Sequence, residues 1–276
     1  MRSEMDLFES KPAGKAVHLN RYYHFTELMR DPEIECELKR YPSEFDGSLQ
    51  SMLVLHPREK RIERHFIFFH GMDGDAGDGV VVREIVKAYR AEVICPGGRG
   101  PSWVSDAFLA DAEQVIRRQL SRSKKFYLMG ISMGGTQALV LPARLPSSLQ
   151  ARLMGVIAFV PGTDLLEIKK SSAHSRVRET LAASVGGDES KLQERSPSNL
   201  GDRYPSRLPF AVFYQTEDSL MLTSRTETFL SDLKARKHPV ASFSAPGGHI
   251  FVPSRFDYKK IIDALGKDAA GTYRAE

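Results

Sequence analysis

Short apolar runs that alternate with helix-like segments constrain the fold of this chain more than any other feature of its sequence. The runs are continuous rather than alternating, which is typical of strands covered on both faces. The strand-like runs lie at 65–70, 91–95, 126–129, 154–160, 210–214 and 240–243, and the helix-like segments between and after them lie at 80–89, 104–120, 133–141, 223–237 and 258–265. This alternation predicts an α/β protein with a mostly parallel sheet and helices on both of its faces.

The part of the chain before these runs has a different pattern. Ile34, Cys36 and Leu38 alternate with charged residues, and an Asp46-Gly47 pair separates them from a second apolar stretch at 49–55. Asp-Gly between two such stretches is a strong hairpin signal. We therefore expect about eight strands in total, with an antiparallel hairpin at the N-terminal edge of the sheet.

Two segments do not fit the alternation. Residues 1–32 are polar and mixed, and we treat them as an N-terminal extension with a short helix predicted at 22–30. Residues 163–207 belong to the predicted domain 33–276 but contain no apolar strand, only one helical patch at 176–185. A segment of this length inside a compact domain is usually functional, and we interpret 163–207 as a cap or lid.

The most specific motif is the serine flanked by glycines in Gly130-Ile131-Ser132-Met133-Gly134. It follows a strand-like run directly and opens a helix-like segment. A strand-to-helix turn this tight strains the backbone of the serine and lifts its hydroxyl clear, while side chains at the flanking glycine positions would collide with the neighbouring elements. The helix N-terminus also favours negative charge that develops there. Ser132 is therefore the predicted nucleophile.

A serine nucleophile needs a base that takes its proton, and His249 is the predicted base. It lies in a glycine-rich loop after the last strand-like run, where an imidazole can reach the carboxyl edge of the sheet. The competing residue is His174, which lies in the 163–207 segment.

The base in turn needs a carboxylate that fixes its tautomer and stabilises the imidazolium. Asp218 follows the strand-like run at 210–214 and gives the chain order Ser, acid, His, which is one of the known arrangements. Glu217 beside it is an alternative. Asp164 is a third candidate, although it is equally well explained as the N-cap of a helix at 165–169.

Acyl transfer also needs N–H donors for the tetrahedral oxyanion. We predict that one donor is the amide of Met133, directly after the nucleophile, and that the other is the amide of Met72 in the loop after the run at 65–70. His70 in that loop is interpreted as structural support. Gly71 and Trp103 are the predicted substrate contacts.

The same loop contains Asp73, Asp75 and Asp78, which invites comparison with a calcium-binding loop. Counted from Asp73, Glu84 occupies the twelfth position as in an EF-hand. However, Asp78 occupies the sixth position, where that loop needs glycine, and a strand replaces the preceding helix. A solvated acidic loop is the better interpretation. No Cys/His cluster has zinc spacing, so the sequence predicts no metal site.

Charge and hydropathy argue against several other classes. The chain has 39 Lys and Arg against 35 Asp and Glu, a net charge of +4, and this small, scattered excess does not indicate nucleic-acid binding. No stretch approaches the ~20 apolar residues of a membrane span, and the first fifteen residues lack the apolar core of a signal peptide. Cys36 and Cys95 lie in strand-like segments, where buried free thiols are expected. We expect a cytoplasmic protein.

Together these residues resemble the α/β-hydrolase superfamily from about residue 33 to the C-terminus, in particular esterases and the catalytic domain of prolyl-oligopeptidase-like enzymes. The segments at 43–47, 96–100 and 186–197 contribute to the likeness. The resemblance implies a Ser–Asp–His triad, an acyl-serine intermediate and no cofactor. Two positions depart from it: Tyr214-Gln215 replaces a common His-Gly, and Gly98 stands where many relatives have aspartate.

The expected activity is hydrolysis of small-molecule carboxylic esters or thioesters. Esters are easier to cleave than amides, and the chain lacks the accessory module that restricts many peptidases. An aminopeptidase-like enzyme would need an acidic pair for the substrate amine, for which Glu189, Glu194 and the 73–78 loop are available. A catalytically silent binding protein is the alternative from another class. Acyl chain length and oligomeric state cannot be read from this sequence.

Overall fold

The computed structural model describes residues 30–58, 61–120, 124–249 and 258–265 of the chain. Apart from Arg30, the helix predicted at 22–30 lies outside these ranges, as does almost all of the extension 1–32. No helix within the described ranges is long and apolar enough to cross a membrane.

The described strands form one eight-stranded sheet in the order β1-β2-β4-β3-β5-β6-β7-β8. Their bounds are β1 (Ile34–Pro42), β2 (Leu49–Pro57), β3 (Arg64–Phe69), β4 (Ala91–Pro96), β5 (Phe126–Ile131), β6 (Leu153–Phe159), β7 (Phe210–Gln215) and β8 (Val240–Ala245). Strand β2 is antiparallel to both of its neighbours, and the remaining pairs are parallel. The predicted fold class and its antiparallel hairpin are confirmed.

The strand order sets where a site can form. The chain passes from β3 to β4 on one side and then crosses back to β5 on the other side of β3. In open α/β sheets, ligands bind outside the carboxyl ends of the strands at such a reversal. The loops that follow β3 and β5 therefore lie side by side at the favoured edge.

The α-helices connect the parallel strands, as the alternation predicts. They are α1 (Arg83–Tyr89), α2 (Asp106–Gln119), α3 (Met133–Val140), α4 (Ser147–Gln150), α5 (Leu165–Ser171), α6 (Ser175–Ser184), α7 (Glu189–Arg195), α8 (Thr223–Ala235) and α9 (Tyr258–Leu265). The helix predicted from residue 80 differs, because Ala76–Val82 forms a 3-10 helix and α1 begins only at Arg83.

The two faces of the sheet bury separate cores, which explains why the central strands are continuously apolar. In β3, Phe66 and Phe68 pack into one cluster, whereas Ile67 and Phe69 pack into the other. All four side chains are at most 1% exposed. Successive residues of a strand point to opposite faces, so a strand with helices on both sides needs an apolar residue at every position.

The segment at 163–207 contains three described α-helices. The sequence predicted the patch at 176–185, which corresponds to α6, and offered a helix at 165–169, which corresponds to α5, only as the alternative explanation of Asp164. Helix α7 was missed, and both α5 and α7 are seven residues long. A helix this short offers few apolar positions for a periodic pattern; Leu192 is the apolar residue that α7 buries. The sequence signals that mark the starts of α5 and α7 are their N-cap residues, Asp164 and Asp188. The cap or lid function of the segment stays a prediction.

A carboxylate between two imidazoles links three strands at the amino ends of β3 and β4. Glu92 on β4 lies 3.0 Å from Nδ1 of His65 on β3 and 3.2 Å from Nδ1 of His56 on β2. Burial alone would raise the pKa of Glu92, but the hydrogen bonds with His56 and His65 outweigh it and lower the pKa to about 2. This edge lies opposite the carboxyl ends of the strands, so the cluster stabilises the sheet rather than any site there.

Replacing Glu92 by glutamine is expected to lower the free energy of unfolding at pH 7 by about 3 kcal/mol, which is the linkage equivalent of a pKa lowered from 4.5 to about 2. Because the folded-state pKa is depressed, this stability is present above pH 4.5 and is lost as the pH falls towards 2. Urea unfolding from pH 7 to pH 3 measures the effect. Glu84→Gln, at an exposed position on α1, is the control; a wild-type advantage that does not shrink in acid would contradict the prediction.

Candidate active site

Ser132 lies in the predicted strand–turn–helix context, between β5 and α3. Its backbone has φ 56° and ψ −118°, a conformation that costs a non-glycine residue roughly 1–3 kcal/mol. The N–H of Ser132 donates to the carbonyl of Phe159 at 2.8 Å, and its carbonyl accepts from the N–H of Thr136 at 3.0 Å. The neighbouring strand and the following helix therefore hold the turn in its strained form.

The glycines on either side of Ser132 are required by close backbone contacts. A Cβ on Gly130 would overlap the backbone of Gly134, and a Cβ on Gly134 would overlap the carbonyl oxygens of Phe69 and His70. The second contact presses the start of α3 against the end of β3. As a result, the loop after β3 lies beside the serine.

The structure brings the three predicted triad residues together in one hydrogen-bonded chain. Oγ of Ser132 lies 2.8 Å from Nε2 of His249, and Nδ1 of His249 lies 2.7 Å from Oδ2 of Asp218. Their loops follow β5, β8 and β7 respectively. The side chain of Asp218 is 4% exposed and that of His249 is 16% exposed, so the carboxylate is shielded from water while the imidazole reaches the surface.

The orientation of the carboxylate is fixed by the backbone of its own loop. Oδ1 of Asp218 accepts the N–H groups of Leu220 and Met221, each at 3.0 Å. Oδ2 is therefore the oxygen left for the histidine. The N–H of Glu217 also donates to the carbonyl of Gly247 at 3.0 Å, which joins the acid loop to the histidine loop.

The competing residues occupy other places. His174 is an exposed residue immediately before α6. The side chain of Glu217 is exposed, and the hydrogen bond to the histidine comes from its neighbour Asp218. Asp164 caps α5, accepting the N–H of Glu167 at 3.1 Å.

The predicted oxyanion donors lie near Ser132. Met133 follows Ser132 directly, and a Cβ built on Gly71 would lie 3.9 Å from Cβ of Ser132, so the loop that carries Met72 passes close to the serine. Within the described part of the chain, neither the Met72 amide nor the Met133 amide donates a hydrogen bond. Free N–H groups beside a nucleophile are the donors that a developing oxyanion requires.

His70 holds the peptide that contains the Met72 amide. Its Nδ1 lies 2.7 Å from the carbonyl oxygen of Gly71, which also accepts the N–H of Gly74 at 3.0 Å. A peptide unit is planar and its C=O and N–H point in opposite directions. Fixing the Gly71 carbonyl therefore fixes the direction of the Met72 N–H, and the structural role expected for His70 has a geometric basis.

Solved structures that match this fold include esterases and a peptidase. An esterase rPPE mutant has a TM-score of 0.65 at 18% identity, over 99% of this chain and 95% of its own. Esterase B from Lactobacillus rhamnosis has a TM-score of 0.67 at 16% identity, over 91% and 90% of the two chains. The acylaminoacyl peptidase of Pyrococcus horikoshii has a TM-score of 0.62 at 15% identity, over 82% of this chain but 39% of its own. No protein-family model matches the chain, and no curated protein sequence does.

The chain has the α/β-hydrolase fold. The eight-stranded, mostly parallel sheet agrees with these structural matches, and the strained serine between β5 and α3 is the strand-to-helix turn that this fold contains. The α/β-hydrolase fold also accounts for the three loops that carry Ser132, Asp218 and His249, since each begins at the carboxyl end of a parallel strand.

One departure from the α/β-hydrolase pattern has a physical reason in this chain. Gly98 has φ +62°, and a Cβ there would lie 2.8 Å from Nε2 of His70. That nitrogen lies 2.9 Å from the carbonyl of Gly97, so the glycine leaves room for the imidazole. The adjacent Arg99 bonds to Asp111 on α2 at 2.5 Å and to Asp46 in the hairpin turn at 2.7 Å. The loop that supports His70 is thereby anchored to the rest of this α/β-hydrolase fold.

The two predicted substrate contacts differ in their exposure. Gly71 is partly exposed and lies close to Ser132, since a Cβ built on it would be 3.9 Å from Cβ of that serine. Trp103 is completely buried, and its indole N–H donates to Oγ1 of Thr180 on α6 at 2.9 Å. A fully buried side chain offers no surface to a ligand, so contact between Trp103 and substrate requires movement of α6 and stays a prediction.

The acidic residues considered for an aminopeptidase are engaged in other interactions. Glu189 pairs with Lys169, and Glu194 lies 2.8 Å from Arg144. Asp73 lies 2.6 Å from Arg176. Asp75 in the same loop caps the 3-10 helix that follows it. Among the described residues, no group of three His, Cys, Asp or Glu side chains is arranged to hold a metal ion.

Several residues that support the site from a distance carry no recognisable signal in the sequence. Gln137 donates to the carbonyl of Trp103 at 2.6 Å, and buried Arg195 donates to the carbonyl of Val104 at 2.7 Å. Thr180 contacts Trp103 from the 163–207 segment. These contacts join residues far apart in sequence, and no local motif marks them.

Proposed function

We propose that this chain is a serine hydrolase that cleaves carboxylic esters through an acyl-serine intermediate, with thioesters as the second substrate class. The observation that supports this proposal most directly is the unbroken hydrogen-bonded chain from Ser132 through His249 to Asp218. A serine hydroxyl is a poor nucleophile without such a base, and a base needs an orienting carboxylate.

The first half of the reaction forms the acyl-enzyme. Oγ of Ser132 attacks the carbonyl carbon while its proton moves to Nε2 of His249. The negative charge on the former carbonyl oxygen is stabilised by the amides of Met72 and Met133, and the imidazolium is stabilised by Asp218. The intermediate collapses, the bond to the alcohol breaks, and the alcohol oxygen takes the proton from Nε2.

The second half uses the same groups in the same roles. His249 takes a proton from water as the water oxygen attacks the acyl carbon, and the amides again hold the oxyanion. The bond between the acyl carbon and Oγ then breaks. The proton returns from Nε2 to Ser132, and the carboxylic acid leaves. Proton balance needs no cofactor, and we propose none.

Two observations favour esters over peptides. The chain covers 95% and 90% of the two esterase structures but 39% of the peptidase. In addition, Glu189 and Glu194, the side chains available for an aminopeptidase's acidic pair, form ion pairs with basic side chains. A small-molecule ester needs no paired acidic site.

The proposal extends to organisation and location. We propose that residues 33–276 form a single catalytic domain in which 163–207 caps the site, since α6 contacts Trp103 beside the nucleophile helix. A cytoplasmic location is supported by both cysteines, Cys36 and Cys95, being free thiols.

The test is hydrolysis of p-nitrophenyl esters from acetate to palmitate by the wild-type chain, together with labelling by a fluorophosphonate probe and mass-spectrometric mapping of the modified residue. We expect turnover of at least one ester and a single adduct on Ser132. Thioesters of the preferred acyl group then separate the two substrate classes. The preferred chain length measures the depth of the acyl pocket.

A chain that hydrolyses no ester in the panel and leaves the probe unreacted would contradict an activated serine. The silent binding-protein alternative would then take its place. Labelling without turnover would retain the activated serine but contradict the ester substrate class, and p-nitroanilides of amino acids would be the next substrates to test.

A further inference from the structure

Trp103 is held in a conformation that the surrounding structure must impose. Its φ is +43°, in the left-handed region that bulky residues avoid, and its side chain is fully buried. Each of its polar groups has a partner. The backbone N–H donates to Sδ of Met133 at 3.3 Å, the carbonyl accepts from Gln137 at 2.6 Å, and the indole N–H donates to Thr180 at 2.9 Å. Strained residues fixed this completely cluster at functional sites.

Thr180 contacts Met72 as well as Trp103, so it links the tryptophan to the loop of the other proposed oxyanion donor. Its Oγ1 lies 3.2 Å from Sδ of Met72 and 2.7 Å from the carbonyl of Arg176. That carbonyl, one turn back along α6, is the nearer acceptor for the hydroxyl, and the hydroxyl oxygen accepts the indole N–H. One hydroxyl of α6 thus touches both Met72 and Trp103.

These contacts connect the two proposed oxyanion donors non-covalently, in addition to the covalent chain between them. The route runs from the thioether of Met72 to Thr180, through the indole and the backbone N–H of Trp103, and ends at the thioether of Met133. The carbonyls of Gly71 and Ser132 set the direction of the two amides. The thioether contacts set how the two residues sit relative to each other.

We propose that Thr180 and Trp103 are positioning residues. Through their contact, the oxyanion hole is formed only when α6 packs against Trp103. This inference rests on the proposed function and adds a regulatory role for the 163–207 segment. When α6 packs against Trp103, the indole is buried and both proposed oxyanion donors, Met72 and Met133, are held in position. When α6 moves away, the indole loses its acceptor and the Met72 side chain loses its contact with the helix.

The other tethers of the segment do not replace this contact. Arg176 pairs with Asp73 at 2.6 Å, but both side chains are more than half exposed, and exposed pairs contribute little. Buried Arg195 of α7 bonds to the carbonyl of Val104 and to Asp106. That anchor holds the segment next to Trp103 but does not reach Met72.

The test compares Thr180→Val, which keeps the size of the side chain but removes the hydroxyl, with Thr180→Ser, which keeps the hydroxyl. Loss of a whole oxyanion donor costs about 10²–10³ in kcat, so a misplaced pair of donors is expected to cost about tenfold. We expect Thr180→Val to lower kcat about tenfold with KM nearly unchanged, and Thr180→Ser to stay within about threefold of wild type. Thr228→Val is the matched control, because Thr228 makes the same hydroxyl-to-carbonyl bond on the exposed face of α8.

Tryptophan fluorescence provides a readout that is independent of activity, since Trp103 is the only tryptophan in the chain. Loss of the hydrogen bond to Thr180 is expected to shift the emission of Thr180→Val to shorter wavelength, while Thr180→Ser keeps the wild-type spectrum. Trp103→Phe removes the indole donor from the other side. The double variant of Thr180→Val with Trp103→Phe should lose no more kcat than either single variant if the two residues act as one unit.

The outcomes separate this inference from the proposed function. If wild type hydrolyses esters and Thr180→Val shows the spectral shift with unchanged kcat, the positioning role is overturned while the hydrolase assignment stands. Equal losses in Thr180→Val and Thr180→Ser would also overturn it, because the hydroxyl would then not matter. If wild type is inactive and Ser132 is not labelled, the proposed function fails and this inference fails with it.

Discussion

Replacing Ser132 by alanine is expected to lower kcat/KM for the preferred ester by at least about a thousandfold, because the proposed acyl-enzyme forms on its hydroxyl. The residual rate would come from the oxyanion donors and from substrate binding alone. The hydroxyl of Ser132 bonds to His249 and does not support the turn, which the backbone bonds of residue 132 hold. Stability should therefore change little. Steady-state kinetics and thermal unfolding of the same preparations measure the two quantities.

The matched control is Ser171→Ala on α5, where an exposed serine hydroxyl bonds to Glu167 at 2.8 Å. It removes the same atom at a place without access to the nucleophile. A Ser132→Ala protein that keeps more than a tenth of the wild-type rate would show that another residue attacks the substrate. Equal rates for both variants would place the chemistry outside this site.

Replacing Asp218 by asparagine is expected to reduce kcat on the order of 10⁴-fold, for a reason that the loop geometry supplies. Leu220 and Met221 both donate N–H groups to Oδ1. An asparagine must place its oxygen there to satisfy them, so its NH₂ group faces Nδ1 of His249. An amide NH₂ can only donate, which forces the imidazole proton onto Nε2. The base then has no lone pair for the proton of Ser132.

Glu217→Gln is the control for the acid, because Glu217 is adjacent, exposed and the alternative that the sequence leaves open. We expect it to keep wild-type kcat within about twofold. The same p-nitrophenyl ester assay measures both variants, with thermal unfolding as a check that the loops remain folded. If Glu217→Gln lost activity and Asp218→Asn kept it, the assignment of the acid would have to be reversed.

Much of the candidate site could be predicted because its residues carry local signals. The continuous apolar runs predicted strands that are covered on both faces. The glycines on either side of Ser132 indicated a tight turn, in which a Cβ at their positions would overlap backbone atoms. Asp218 and His249 each lie within a few residues of the end of a strand-like run, and parallel strands end at one edge of a sheet. These three positions could therefore be placed near one another without knowing any contact between them.

The choice between Asp218 and Glu217 could not be made in the same way. Neighbouring residues in a loop differ in sequence by one position but in direction by a large angle. The direction was set by the amides of Leu220 and Met221 and by the bond that links the loop to Gly247. Only the folded backbone supplies those partners.

The sequence by itself determined the fold class, the candidate nucleophile and the edge of the sheet where the candidate site lies, because these depend on periodicity and on residues within a few positions of one another. The tertiary structure decided what surrounds them. Position 98 needs glycine because a Cβ there would overlap the ring of His70. The indole of Trp103 donates to the hydroxyl of Thr180 on α6, which lies 77 positions later in the chain. Contacts of this kind join segments that meet only when the sheet and helices pack, so no short stretch of sequence encodes them.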